Sequence, residues 1–328
     1  MNINEIAQLA GVSRATVSRY LNDGYVSAEK REKIRAVIEQ TGYQPSSQAQ
    51  TLRTKKTKLI GIILPKINSE TISRMAAGVS EVLNKKGYQI ILANTNNSIQ
   101  EELKYLSLFK DNQVDGIIFI ATIFVKKHLQ LLKELKVPIV ILGQYLEGYS
   151  CVYQDDYHAA KDLTKILLKQ SKNVGYIGVT LKDKAAGYSR KKGFEDAFKE
   201  EKRSPDPRYM KEATFQLKSG YEKAKELLEE FPEVDALFCA TDNLAIGALI
   251  YLREKGRKVP GEIQVTGTGD IPMGQIVVPK LTTVHYYYKT SGKEAASMLV
   301  GLLESEEAIR KEIKMGYEII LRDTTKNE

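Results

Sequence analysis

A short stretch near the N-terminus, residues 13–22, carries side chains that are suited to reading nucleic acid. Arginine can donate two hydrogen bonds to a guanine edge, a small side chain can contact a thymine methyl, and a hydroxyl can reach a phosphate oxygen. The stretch carries all three types of side chain at positions outside its apolar face, which are Arg14, Ala15, Thr16, Ser18 and Arg19. This surface predicts contacts with the bases and the backbone of DNA.

Two helices must hold this surface in place. Residues 4–9 form the first predicted helix, and Asn2 and Glu5 before it have the spacing of a capping box. Residues 14–21 form the second, which Ser13 can cap at the end of the intervening turn. This outline is that of a helix-turn-helix, which places its second helix in the major groove of DNA.

The charge of the head supports the same prediction. A third helix is predicted over residues 28–40, where Ile34, Val37 and Ile38 form an apolar stripe. The first 58 residues contain ten lysines and arginines against five acidic residues, so they hold more than half of the net charge of +8. A clustered positive excess of this kind is typical of phosphate binding.

From Lys58 onward the sequence changes to apolar runs that alternate with helical patterns. This alternation predicts parallel sheets with helices on both faces, and the length accommodates two such sheets. The Gly-x-Gly at residues 267–269 lacks the third glycine of a nucleotide-binding loop, so no nucleotide cofactor is expected. The predicted strands cover residues 59–64, 89–93, 116–120, 138–142, 174–179, 236–239 and 264–267.

The residue types argue against an enzyme and against a metal site. Asp155 and Asp156 resemble a catalytic carboxylate pair, but a helix-capping role is favoured. The three histidines have neither metal-ligand spacing nor a neighbouring nucleophile, and they are His128, His158 and His285. We therefore expect no catalysis, no metal and no cofactor.

Composition indicates a cytoplasmic protein. No apolar run reaches the ~18 residues of a membrane span, and the first residues lack the pattern of a signal peptide. Cys151 and Cys239 each lie in an apolar stretch, which favours buried reduced thiols over a disulfide. We expect no membrane partner.

Two segments carry a family resemblance. The sequence GVSRATVSRYLN at residues 11–22, followed by TGYQPSSQAQTLRTKKTKLIGIILP at residues 41–65, closely resembles the lactose-repressor (LacI/GalR) family of bacterial transcription regulators. The resemblance extends over essentially the whole chain. It implies that bases are read by Arg14, Ala15 and Arg19. It further implies that phosphates are contacted by Thr16, Ser18 and Asn22, with Ser13 in the same DNA-binding set.

The segment after the head resembles the family's hinge helix, which forms on operator DNA. Ala49 and Leu52 match the hinge pattern, and the resemblance implies that Leu52 enters the minor groove as a wedge. Ser46 and Gln50 depart from the usual Asn and Arg. Gln50 removes a cation, so an altered operator preference is expected. In the absence of DNA, a flexible linker is expected here.

The resemblance also implies the architecture of the body. The expected fold is an all-α helix-turn-helix head followed by an α/β body with two Rossmann-like lobes of the periplasmic-binding-protein type. We place the head and hinge at residues 1–57 and the effector-binding and dimerisation domain at residues 58–328. The lobes are expected at about 58–157 with 288–314, and at about 158–287 with 315–328. The chain should cross between them near Tyr157, Tyr287 and Met315.

The expected effector pocket lies in the cleft between these lobes. Ligands of open α/β sheets sit beyond the carboxyl ends of the strands, so polar residues that follow strands mark the pocket. The family keeps a sugar-binding arginine where this chain has Arg190, and Tyr145 or Phe124 offers an aromatic face to a sugar. The expected contacts are Asn68, Ser69, Gln144, Tyr145, Arg190, Asp242 and Asp270.

Two glycines depart from the family pattern inside this pocket. Many members end two of the strands with an aspartate that faces the ligand, and this chain has Gly143 and Gly269 there. The loss of two carboxylates makes the pocket roomier and less negative. We hypothesise an effector that is larger than a monosaccharide or carries a phosphate, such as sucrose or trehalose 6-phosphate.

The function expected from the sequence is repression of a sugar-utilisation operon by a homodimer. A palindromic operator requires two heads, and a sugar or sugar phosphate would release the protein from double-stranded DNA. One alternative is a catabolite-control regulator whose corepressor is a phosphorylated carrier protein. The other alternative is a sugar-binding receptor. The predicted DNA-binding head disfavours it.

Overall fold

The computed structural model describes residues 1–43, 56–110, 114–305, 307 and 309–326. The chain divides into two compact units, Met1–Lys58 and Leu59–Glu328. The predicted hinge contacts Ala49 and Leu52 lie outside the described residues.

The head is a three-helix unit around a small core. Its helices are α1 (Ile3–Leu9), α2 (Arg14–Tyr20) and α3 (Ala28–Thr41). Asn2 forms the predicted capping box with Glu5, because its side chain accepts from the backbone at Glu5 while the Glu5 carboxylate accepts from its amide. The core is closed by fully buried apolar side chains from all three helices, which are Ile6, Val17 and Ile34.

The first lobe of the body is built on a six-stranded sheet. Its strands are β1 (Leu59–Leu64), β2 (Gln89–Asn94), β3 (Gly116–Ile120), β4 (Ile139–Leu142), β5 (Ser150–Gln154) and β11 (Glu312–Met315). Its helices are α4 (Glu70–Lys85), α5 (Ile99–Lys110), α6 (Lys126–Glu134) and α12 (Tyr288–Glu304). The order is β11–β5–β4–β3–β1–β2, and every pairing is parallel.

Helices cover both faces of this sheet because the strands are apolar on both sides. Along β1, Ile62 joins the apolar cluster that contains Met75 of α4, whereas its neighbour Ile63 joins the cluster that contains Phe109 of α5. Neighbouring strand residues point to opposite faces. The predicted parallel sheet with helices on both faces is therefore confirmed.

The second lobe is built on a smaller parallel sheet in the order β7–β6–β8–β9. The strands are β6 (Val174–Gly178), β7 (Met210–Glu212), β8 (Ala236–Cys239) and β9 (Gln264–Thr266). The helices are α7 (Asp156–Leu168), α8 (Arg190–Glu200), α9 (Leu217–Glu230), α10 (Asp242–Glu254) and the short α11 (Met273–Ile276). A π-helix, Lys184–Ser189, leads directly into α8.

Three connections join the lobes. The chain passes from β5 into α7 at Asp155, from the strand β10 (Thr283–Tyr286) into α12, and from β11 into the strand β12 (Tyr317–Ile320). Strands β10 and β12 form an antiparallel pair. These connections run side by side next to the carboxyl ends of β4 and β5, so side chains of both lobes meet there. No helix among the described residues combines the length and apolarity needed to cross a bilayer.

Candidate nucleic-acid interface and ligand cleft

Helix α2 is fixed at its start by Ser13. The Ser13 hydroxyl accepts a hydrogen bond from the Thr16 backbone amide at 3.2 Å and lies 2.9 Å from the Thr16 hydroxyl. This N-cap satisfies a donor that the first turn would otherwise leave unpaired. Val17 is fully buried on the inner side of the helix. The cap and the buried valine together fix which face of α2 points outward.

The outward face of α2 presents free hydrogen-bond donors. Arg14, Ala15 and Arg19 are exposed, and within the described part of the chain neither arginine forms a salt bridge. By contrast, Arg35 on α3 lies 2.6 Å from the Glu32 carboxylate. An arginine without an acidic partner can turn both arms of its guanidinium to a base edge or a phosphate.

The phosphate contacts predicted at the sides of α2 lie on the same helix. Thr16 and Ser18 are half-buried, and the Asn22 amide donates to the Ser18 carbonyl just beyond the last turn. Asn22 thereby covers a carbonyl at the end of the helix. The structure thus brings the predicted contacts from Ser13 to Asn22 onto one helix and its two ends.

Gln144 lies where the two lobes of the body meet. It follows β4 and is buried, and its Nε2 donates to the Thr122 carbonyl at 3.0 Å and to Asp183 Oδ1 at 2.9 Å. Asp183 belongs to the second lobe, where its carboxylate caps the π-helix through the amides of Ala185 and Ala186. Burial raises the pKa of the Asp183 carboxyl.

Arg190 is held by partners inside the protein. Its Nε and Nη2 atoms each lie 2.7 Å from Asp156 Oδ1, and its Nη1 donates to Thr268 Oγ1 at 2.5 Å and to the Ala240 carbonyl. Burial alone would lower the pKa of Arg190, but the Asp156 carboxylate outweighs that effect and raises it. The arginine is buried, and these contacts connect α7, α8 and the ends of β8 and β9.

Asp242, the first residue of α10, is likewise buried and bonded. Its Oδ1 accepts from the Thr283 hydroxyl at 2.5 Å, and its Oδ2 accepts from the Ile271 amide at 2.8 Å. Burial raises the pKa of the Asp242 carboxyl to about 6. Asp242 therefore ties the start of α10 to β10 and to the loop before α11.

Asp270 connects the second lobe to the first. Its carboxylate lies 2.9 Å from His285 Nδ1 and accepts from Arg322 at 2.6 Å, while its backbone carbonyl accepts from Arg74 of α4 at 2.9 Å. Desolvation opposes ionisation, but the bonds from Arg322 and His285 outweigh it and lower the pKa of Asp270. Gly269 before it has φ +132°, a conformation that favours glycine.

The remaining predicted contacts lie at the start of α4. Asn68 is exposed, and the half-buried Ser69 places its hydroxyl 3.2 Å from that of Thr71. Thr71 approaches the second lobe, because a Cβ at Gly269 would lie 3.8 Å from its methyl group. Gln144 and Asp270 thus form contacts between the lobes, whereas the hydrogen bonds of Arg190 and Asp242 hold the second lobe together.

A cavity of about 410 Å³ opens at the connections between the lobes. Of the predicted effector residues, Gln144 and Tyr145 line it. Its walls also include side chains that were not predicted as effector contacts, among them Tyr153, Gln154, Tyr157, Lys184, Tyr188 and Lys314. The signal that could have indicated some of them is their place in the sequence, because Tyr157 and Lys314 lie at or beside the predicted crossings between the lobes. Phe124 packs against Phe119 and His128 and does not line this cavity.

The chain combines a capped helix suited to reading DNA with a two-lobed α/β body. This combination defines a ligand-responsive regulator of transcription. Residues 2–46 match the family model for bacterial regulatory proteins of the lacI family, and residues 168–325 match the model for a periplasmic binding protein-like domain. The chain belongs to the lacI family of bacterial regulatory proteins. Its members are DNA-binding transcription regulators and not enzymes, as predicted.

Individual relatives match over nearly the whole chain. The sucrose operon repressor of Staphylococcus xylosus is 32% identical over 321 residues, which cover 97% of this chain and 99% of the relative. The ribose operon repressor of Bacillus subtilis (strain 168) is 32% identical over 329 residues, which cover 99% of each. The solved complex of the transcriptional regulator CelR with cellobiose is similar with a TM-score of 0.76 and 26% identity, covering 99% of each chain. The predicted family and fold class are confirmed.

Proposed function

We propose that the protein is a cytoplasmic, homodimeric repressor of a sugar-utilisation operon. Helix α2 reads a palindromic operator, and a sugar or sugar phosphate bound between the lobes releases the DNA. The observation that carries the proposal is the pair Arg14 and Arg19, exposed on a capped helix without acidic partners among the described residues. The sugar is supported by the relatives, two of which are named for sucrose and ribose operons.

Exposed apolar side chains support the dimer. Ile276, the last residue of α11, and Val278 just after it are 77% and 85% exposed, and Ile91 and Leu92 are exposed on β2, which is an edge strand. Large exposed apolar groups in clusters mark surfaces that bind other proteins. A second copy of this chain is the partner that a two-fold operator requires, because each half-site takes one head.

Contacts across the cleft supply the link between sugar and DNA. The lobes touch through Gln144 with Asp183 and through Arg74 with the Asp270 carbonyl. A ligand that favours one arrangement of the lobes shifts the balance only by its difference in affinity for the two arrangements. The predicted hinge residues, Ala49 and Leu52, would pass this shift to the DNA.

Selection of DNA from a random pool by the full-length protein tests the proposal. We expect enrichment of a two-fold symmetric sequence whose binding weakens steeply with salt, since phosphate contacts dominate affinity. The absence of any enriched sequence over several rounds would contradict the proposed function. If the protein binds that sequence only in complex with a phosphorylated carrier protein, and sugars have no effect on the binding, the result would instead favour catabolite control.

A further inference from the structure

We propose that the 410 Å³ cavity at the lobe connections binds the effector as a disaccharide phosphate, with the phosphate at Lys184. This inference rests on the proposed function and specifies its ligand. The cavity is lined by the end of β4, by β5 and by the π-helix, so each lobe supplies part of the wall.

The walls of the cavity are rich in tyrosine. Tyr145 and Tyr153 come from the first lobe, with ring centroids 5.7 Å apart, and Tyr157 and Tyr188 come from the second. Tyr145 and Tyr188 are 51% and 47% exposed, so their rings are available to a ligand. Aromatic faces pack against the C–H surfaces of sugar rings. One tyrosine pair from each lobe therefore matches the two rings of a disaccharide. The volume lies in the range of small-molecule sites, roughly 300–1,000 Å³.

A buried amide in the wall lacks a partner. Gln154 is almost completely buried on β5, and its Nε2 has no hydrogen-bond acceptor within the described parts of the chain. A buried donor without an acceptor is costly, and native proteins nearly always satisfy such a group. Gln154 lines the cavity, so a ligand hydroxyl placed there would accept its hydrogen bond.

The charged side chains of the cavity wall form ion pairs except at one position. Asp155 lies 3.2 Å from Lys314 and 2.8 Å from His158, and Asp156 is bonded to Arg190. Lys184 forms no ion pair in the part of the chain that the structure describes, and its ammonium lies 4.8 Å from the centre of the Tyr188 ring. Among the described residues, Lys184 is therefore the cation of the cavity wall that has no ion-pair partner.

Gly143 adds no carboxylate to the part of the cavity wall that follows β4. It lines the cavity after β4 with φ +88°, in the region that favours glycine. An aspartate at this position would add a carboxylate to the same cavity as Lys184. The glycine and the free lysine together favour an anionic group on the ligand, and phosphate is the anion that a lysine ammonium binds as a point charge.

Calorimetric titration of the full-length protein tests this assignment. The probes are trehalose and trehalose 6-phosphate, sucrose and sucrose 6-phosphate, and inorganic phosphate. We expect one of the two disaccharide phosphates to bind at least about tenfold more tightly than its parent sugar, with inorganic phosphate much weaker. Equal binding of parent and phosphate, tight binding of a parent alone, or binding of neither pair would overturn the proposal.

Variants locate the phosphate. Lys184→Met is expected to weaken binding of the phosphorylated sugar about tenfold and to leave the parent sugar unchanged, whereas Lys182→Met, an exposed lysine outside the cavity wall, changes neither. Unchanged phosphate binding in Lys184→Met would overturn the assignment. Operator binding is measured on the same preparations. If a neutral sugar releases the operator, the proposed function stands and this inference fails, whereas absence of operator binding is a failure of the proposed function itself.

Discussion

Gln144 donates a hydrogen bond to Asp183 across the cleft, with 2.9 Å between Nε2 and Oδ1 and both side chains buried. Gln144 follows β4 of the first lobe, and Asp183 caps the π-helix of the second. The same π-helix carries Lys184 and Tyr188 into the cavity. The contact that joins the lobes is therefore built into the wall of the proposed effector site.

Loss of this contact should destabilise the body. Gln144→Leu removes the donor to two acceptors, the buried Asp183 Oδ1 and the partly buried Thr122 carbonyl. We expect the free energy of unfolding to fall by about 1–3 kcal/mol, measured by urea denaturation. Gln130→Leu, at an exposed position of α6, is the control. A Gln144→Leu protein as stable as the control would show that the contact contributes nothing.

Arg190 should behave as a structural residue. Arg190→Met leaves Asp156 as a buried carboxylate without its cation, which costs about 3–5 kcal/mol of the free energy of unfolding. Arg208→Met, which removes an exposed arginine paired with Asp206, should change it far less, because exposed ion pairs contribute little to stability. Full stability of Arg190→Met with lost effector binding would instead give this arginine the sugar-binding role that the family resemblance implies.

Arg19 should carry base recognition. Arg19→Ala is expected to weaken binding to the selected operator by a factor of about 10–100 and to relax the preference at one base pair of each half-site. Arg35→Ala, which removes an exposed head arginine already bonded to Glu32, should weaken binding far less. Fluorescence anisotropy with operator and mutated operators measures both. Equal losses in the two variants would assign Arg19 a general electrostatic role.

Asp242 should make stability depend on pH. Its pKa is about 6 in the folded protein against 3.8 for an unperturbed aspartate, so its stabilising contribution is complete below about pH 4 and is lost as pH rises through about 6. Asp242→Asn removes this titration. Relative to the variant, the unaltered protein should lose roughly 2 kcal/mol of unfolding free energy between pH 4 and pH 7. Urea denaturation measures the unfolding free energy of both proteins. A difference between them that stays constant across this pH range would contradict the raised pKa of Asp242.

The exposed apolar surface beside α11 should belong to the dimer interface. Val278→Asp places a charge on a residue that is 85% exposed, so it should leave the fold intact and weaken self-association. Sedimentation velocity should show a shift from dimer to monomer. Leu321→Asp, also at an exposed apolar position, is the control. A dimer that persists in Val278→Asp at low concentration would remove this surface from the interface.

The head was predictable because its signals are local. The capping box of Asn2 with Glu5, the cap at Ser13 and the end of α3 at Gly42 each depend on residues within one helical turn. The predicted strands of the two large sheets were also found, since their continuous apolar runs are typical of strands buried on both faces. Strands β5, β7 and β10 to β12 were not predicted, because they are short and mix polar with apolar residues.

The cleft was less predictable because its contacts are distant in sequence. The partners of Arg190 lie 34, 50 and 78 positions away, at Asp156, Ala240 and Thr268. A family pattern marks the arginine but does not show that its donors are already occupied. The cavity tyrosines come from segments that only the three connections bring together, so no single sequence window contains the site.

The central claim is that a saccharide in the cleft controls DNA binding by the head. The most direct measurement is the affinity of the full-length protein for its selected operator, titrated with disaccharides and their phosphates at fixed salt. We expect a disaccharide phosphate to lower operator affinity at least about tenfold, which is a coupling free energy of about 1.4 kcal/mol. Operator affinity that no sugar or sugar phosphate changes would contradict it.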